Sequence, residues 1–105
     1  MNIVIPFRPE FKDRMLNRVK TTTCRTKQYG KRGDIFEIFG ARFALQEVLS
    51  ITLEQVAKEY FAEEGFDNPI EFIQCWNEIH PNKGYVPSQR VFLHKFIKFD
   101  DKSST

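Results

Sequence analysis

An α+β domain, a small mixed β-barrel with helices packed against its outside, is the fold class this sequence predicts. Three observations carry the expectation. Short runs of β-branched and aromatic residues alternate with glycine turns, as strands do. Two longer segments open with helix caps and repeat apolar residues at helical spacing. Eleven Phe, three Tyr and one Trp supply an aromatic-rich core. A chain of 105 residues makes one domain, with a core over about residues 3–99 and a polar tail at 100–105. The order expected is β-α-β-β-β-α-α-β.

Ile3-Val4-Ile5 reads as a first strand, closed by Pro6 and Pro9. From Glu10 to Val19, Phe11, Met15, Leu16 and Val19 fall on one helical face, and Pro9 suits a first helical position. Thr21 to Cys24 are mostly β-formers, so Thr21, Thr23 and Arg25 share one strand face and Thr22 and Cys24 the other. Lys20 sits where the period changes, so its direction is not readable. Gly33-Asp34 turns the chain into the strand Ile35–Phe39, and Gly40 turns it back, as in a hairpin, into a strand over 42–50. Thr52-Leu53-Glu54-Gln55 is a capping box, in which a hydroxyl accepts from the third N–H and Gln55 reaches back. Leu53, Val56, Ala57, Tyr60 and Phe61 form the buried stripe of that helix, and Gly65 supplies its left-handed stop. Asn68 caps the next helix with Pro69 at its first position; Ile70, Phe72, Ile73, Trp76 and Ile79 are its apolar residues, and Pro81 ends it. After a loop over 81–89, Arg90 to Phe99 reads as the last strand.

The net charge of +2 is too mild to specify nucleic acid alone, but its distribution is uneven. Nine Lys and Arg side chains lie between Arg8 and Arg32 against Glu10 and Asp13, which is either one basic face or a solvated surface. Cys24 and Cys75 form no disulfide framework or metal-ligand spacing, so no metal or other cofactor is expected and both thiols read as reduced in a cytoplasmic protein. Cys24 reads as a half-buried strand thiol, although Lys20 and Arg25 beside it would lower its pKa. The first residues lack the pattern of a signal peptide, and no apolar stretch approaches the roughly 20 residues of a membrane span.

The run Asn17–Arg25 packs three cations and three threonines into nine residues, side chains that contact phosphates, sugars and polarised carbonyls. Within it, Lys20 and Thr23 are candidates for a base and nucleophile, because a hydroxyl needs a base and a lysine serves once its pKa falls. Their alternative roles are phosphate contact and strand packing. Glu64 follows Leu53 by eleven residues. At about 100° per residue that puts it ~20° off the apolar stripe, a carboxylate at a buried helix end in need of a cation such as Lys20 or Arg25. The alternative is a glutamate reaching water. His80 reads as a helix cap or surface residue. His94 shares a strand face with Phe92 and Phe96, as a satisfied semi-buried histidine or a site lining. Trp76 and the strand aromatics read as core or as a platform for a stacked base.

Lys20-Thr21-Thr22-Thr23-Cys24-Arg25, Gly33-Asp34 opening a strand, Glu64-Gly65-Phe66 after a helix, and a Trp76-bearing helix before a terminal strand together resemble the ASCH domain. The similarity runs over about residues 7–99. It implies a PUA-like barrel with flanking helices and a cleft for RNA or a nucleoside, with Lys20, Thr21, Thr23 and Arg25 as binding residues. One branch, the bacterial acetylcytidine amidohydrolases, removes an acetyl group from a modified cytidine. Its catalytic lysine, threonine and glutamate fall on Lys20, Thr23 and Glu64. The resemblance thus implies an RNA or nucleoside ligand, with hydrolysis of an N-acylated cytidine as the alternative activity; from the residues themselves no membrane or metal partner is expected.

Overall fold

The computed structural model describes residues 1–99, and the tail expected at 100–105 lies outside them. Four strands form one antiparallel sheet: β1 (Thr22–Arg25), β2 (Ile35–Ile38), β3 (Ala41–Thr52) and β4 (Arg90–Lys98), in the order β1-β4-β3-β2. The sheet curls into a half-barrel against α1 (Lys12–Leu16), α2 (Leu53–Glu59) and α3 (Pro69–Ile79). This is the α+β class expected from the sequence.

The β2–β3 hairpin turns through Phe39 and Gly40, both left-handed with φ 56° and 76°, the geometry that matches strand twist. Phe39 therefore belongs to the turn rather than to the strand. The β3–β4 register skips a residue between Leu45 and Glu47, a bulge that bends the long strand β3. Thr52 caps α2 as its sequence pattern requires: Gln55 N–H donates to Thr52 Oγ1 at 3.2 Å, and Thr52 N–H to Gln55 Oε1 at 3.0 Å. Asn68 Oδ1 likewise accepts from Glu71 N–H at 2.9 Å at the start of α3.

The N-terminal third departs from expectation. No strand forms over 3–5; beside it Asn2 makes an isolated parallel bridge to Ile35, and Ile3 N–H donates to Ile35 O at 2.8 Å. Pro6 ends any pairing early, Val4 is exposed, and Ile5 alone of the three is fully buried. The helix expected over 10–19 is a 3-10 turn at Pro9–Phe11 followed by the five residues of α1. Arg18 adopts φ 60°, and Arg14 O accepts from both Val19 N–H (2.8 Å) and Lys20 N–H (2.9 Å). That left-handed stop re-aims the chain and delivers Lys20 inward.

Two apolar clusters fill the molecule. Phe36 stacks on Phe43 at 5.2 Å between centroids, and Phe96 meets both edge-on at 5.5 and 5.4 Å, beside Ile5, Phe11 and Met15. The second cluster joins α2, α3 and β4 through Leu53, Val56, Phe72, Trp76, Val91 and Leu93. Phe66 packs against both. Among the described residues, no helix is long and apolar enough to cross a membrane.

Candidate functional site

Where the two clusters meet, beside β1, lies a cavity of about 280 Å³. Because β1 is an edge strand, groups from both of its faces reach the cavity. Phe11, Phe66, Phe72 and Trp76 give apolar walls, and Lys20, Thr23, Arg25 and Glu64 give the polar groups.

Lys20 is 3 % exposed and Glu64 4 %. Lys20 Nζ donates to Thr22 O at 2.8 Å and to Glu64 O at 3.1 Å, stands 3.6 Å from Glu64 Oε1, and lies over the Phe11 ring at 4.8 Å. Two carbonyls accept from the ammonium and the Glu64 carboxylate balances its charge, as so deeply buried a charge requires. Glu64 Oε2 accepts from Thr22 Oγ1 at 2.6 Å. Burial drives both ionisable groups towards neutrality, lowering the Lys20 ammonium and raising the Glu64 carboxyl, each opposed by the other's charge.

The backbone that holds Glu64 is not helix, as its spacing suggested. Helix α2 ends at Glu59, and residues 61–65 form successive turns. Helix-like bonds continue, from Glu64 N–H to Tyr60 O (2.9 Å) and from Phe66 N–H to Phe61 O (3.0 Å), so the inward direction is kept. Gly65 follows at φ 101°, where a Cβ would stand 3.2 Å from Lys20 Cβ and 3.3 Å from Arg14 Cδ. Both conformation and space there call for glycine.

The threonines divide their work. Thr22, which sequence reasoning passed over, is the hydroxyl joined to Glu64. Thr23 lines the cavity, and its Oγ1 accepts from Arg25 Nε at 3.0 Å. Thr21 is half-buried and engages through its backbone, N–H to Glu63 O at 2.7 Å and carbonyl from Phe96 N–H at 2.9 Å. Arg25 also donates to Pro6 O at 2.6 Å and lies over the rings of Phe7 (4.8 Å) and Tyr29 (5.5 Å).

Both cysteines line the cavity as free thiols. The lowering expected for Cys24 from Lys20 and Arg25 is reversed: burial and the Glu64 charge push its thiol up instead, and burial raises Cys75 as well. Neither is an activated nucleophile.

His94 is the satisfied buried histidine. Its Nε2 accepts from Tyr29 N–H at 3.0 Å, so the proton sits on Nδ1, facing Thr23 O and Phe92 O at 3.2 Å each. Through these bonds it holds β1 and the Tyr29 loop that walls the cavity. His80 caps α3, its Nδ1 donating to Trp76 O at 3.2 Å, and its ring also stacks on Trp76 at 4.0 Å. The Trp76 indole N–H is buried with no partner among the described residues. No group of three or more His, Cys, Asp or Glu side chains among those residues is arranged to hold a metal ion.

No family model and no curated protein matches the sequence. Solved structures with the same fold include an ASCH domain from Lactobacillus crispatus JV V101, with TM-score 0.60 and 14% identity over 83% of this chain and 69% of that one. A protein of Enterococcus faecalis V583 from the family DUF984 gives TM-score 0.63 and 19% identity over 91% and 74% of the two chains. A hypothetical protein, PH0355, gives TM-score 0.64 and 16% identity over 89% and 94%. These likenesses establish an ASCH-like fold.

Proposed function

We propose that this ASCH-like chain binds one nucleoside, free or as a residue of RNA, in the cavity beside β1. The observation that carries the reading is the cavity itself. At about 280 Å³ it lies near the small end of the roughly 300–1,000 Å³ usual for ligand pockets, room for one nucleoside and no more. Its aromatic walls suit a planar base, and the deep Lys20–Glu64 pair offers charge beside them. Arg8 and Arg25 also line it, cations placed to meet a phosphate. Binding to short single-stranded RNA is expected to weaken as salt rises. It is expected to be lost in the Lys20→Ala/Arg25→Ala double variant. Affinity insensitive to salt and to that double substitution would remove the reading.

A second reading, hydrolysis of an N-acylated cytidine, is favoured by one arrangement: Lys20, Thr23 and Glu64 line one cavity, with the lysine so buried that its ammonium is pushed towards the neutral amine. In this reading Lys20 takes the proton of Thr23 Oγ1, which attacks the acyl carbonyl; the amine departs with a proton, and water releases the acyl group. Glu64 orients Lys20 or assists the leaving amine. Arg25, which donates to Thr23 Oγ1 in the resting site, supports the developing oxyanion. Incubation with acetylcytidine, followed by the absorbance change to cytidine, tests it beside Lys20→Ala and Thr23→Ala. Full turnover in Thr23→Ala eliminates threonine as the nucleophile.

A further inference from the structure

His80 is used by neither reading above, yet it lines the same cavity. Its geometry is fixed twice. The ring is held nearly parallel to Trp76, 23° between planes at 4.0 Å. Its Nδ1 faces the Trp76 carbonyl at 3.2 Å, and a carbonyl oxygen only accepts, so the neutral ring carries its proton there. Nε2 of that tautomer keeps its lone pair as an acceptor. His80 thus brings an imidazole of fixed orientation to the cavity wall, half-buried, while Lys20 and Glu64 lie deep.

We propose that His80 Nε2 accepts a hydrogen bond from the ribose 2′-hydroxyl of the bound nucleoside and makes the site selective for ribose over deoxyribose. The inference rests on the nucleoside reading and adds the sugar class to it. An RNA strand continues in both directions from the bound residue, so its phosphates stay at the mouth and the base occupies the interior. The sugar then lies at the level of the less buried groups, where His80 and the exposed Arg8 stand. In a chain the 3′ and 5′ oxygens are esterified and have no proton to give. The 2′-hydroxyl is the sugar donor present in free and chain-embedded ribonucleosides alike, and it is absent from DNA.

Trp76 is the only tryptophan of the sequence, so its emission reports occupancy directly. The test titrates the full chain and His80→Phe, which keeps a ring against Trp76 and removes the acceptor, with the four ribonucleosides and their 2′-deoxy counterparts. The wild type is expected to prefer ribose by up to about tenfold, the value of one hydrogen bond. In His80→Phe the two sugars are expected to bind equally, at the weaker affinity. A wild type without preference, or a variant that retains it, overturns the assignment while leaving the nucleoside site intact. Binding of none of the eight compounds overturns this proposal, and together with loss of salt-sensitive binding to short single-stranded RNA it removes the nucleoside reading as well. A ligand-free check is the imidazole nitrogen NMR spectrum of the neutral ring. The Nδ1–H tautomer is expected for His80, and the Nε2–H tautomer would overturn the proposal by removing its acceptor.

Discussion

Thr22 and Glu64, 42 residues apart in the chain, are joined by a 2.6 Å hydrogen bond from the threonine hydroxyl to a carboxylate oxygen. It ties the edge strand β1 to the turn after α2. Thr22→Val keeps the shape and removes the donor, leaving a buried carboxylate one bond short. A loss of about 1.5–3 kcal/mol is expected, the range for hydrogen bonds to charged groups. Thr23→Val removes a bond to an arginine that is part-exposed and keeps Pro6 O as an acceptor, so screening by water brings its expected cost down to about 0.5–1.5 kcal/mol. Urea unfolding of the two variants compares them, and a Thr23 cost exceeding the Thr22 cost would refute this division.

Lys20 and Glu64 should fail singly and tolerate joint replacement. Glu64→Ala strands a buried cation and is expected to cost about 3–5 kcal/mol. The double variant Lys20→Met/Glu64→Leu removes both charges and is expected to be more stable than Glu64→Ala alone. Thermal midpoints of the three proteins read the outcome.

Acid should act through His94. Burial lowers its pKa below the ordinary 6.5, so between the folded value and about pH 6.5 the unfolded chain binds the extra proton. Stability contributed by the neutral ring is complete above that window and is lost as pH falls through it. Protonation also removes the acceptor for Tyr29 N–H. Unfolding free energy measured from pH 8 to 5 should fall in the wild type and fall less steeply in His94→Asn.

At Gly65 the backbone is the sensitive element. Gly65→Ala puts a Cβ at φ 101° and against Lys20, so a cost of about 1–3 kcal/mol is expected, with weakened ligand binding as Lys20 shifts. Wild-type affinity in this variant would show that Lys20 keeps its place.

The parts legible in the sequence were those governed by local rules. The Thr52 capping box, the Asn68-Pro69 start of α3 and the turn at Gly40 each depend on residues within four positions of one another. Glu64 was also legible, because helix-like bonds preserve the period past the end of α2. The direction of Lys20 was not, since Arg18 breaks the helical period with a left-handed backbone that no side-chain pattern announces. Thr22 could be placed on a strand face, but nothing local names a partner 42 residues away. His80 was legible as a helix cap, and its stacking on Trp76 follows from the same local spacing of four residues.

The same residues bear on how the sheet meets other chains. A bare edge strand is an invitation to add a foreign strand. On β1, Thr22 N–H is already bonded to Glu63 O at 3.1 Å, and Thr22 O is occupied by the Lys20 ammonium. At the opposite margin, Ile35 on β2 is engaged by Met1 O and Ile3 N–H. A second molecule seeking to extend the sheet at either place must first break these bonds. The buried lysine therefore also occupies a carbonyl that strand addition at β1 would need.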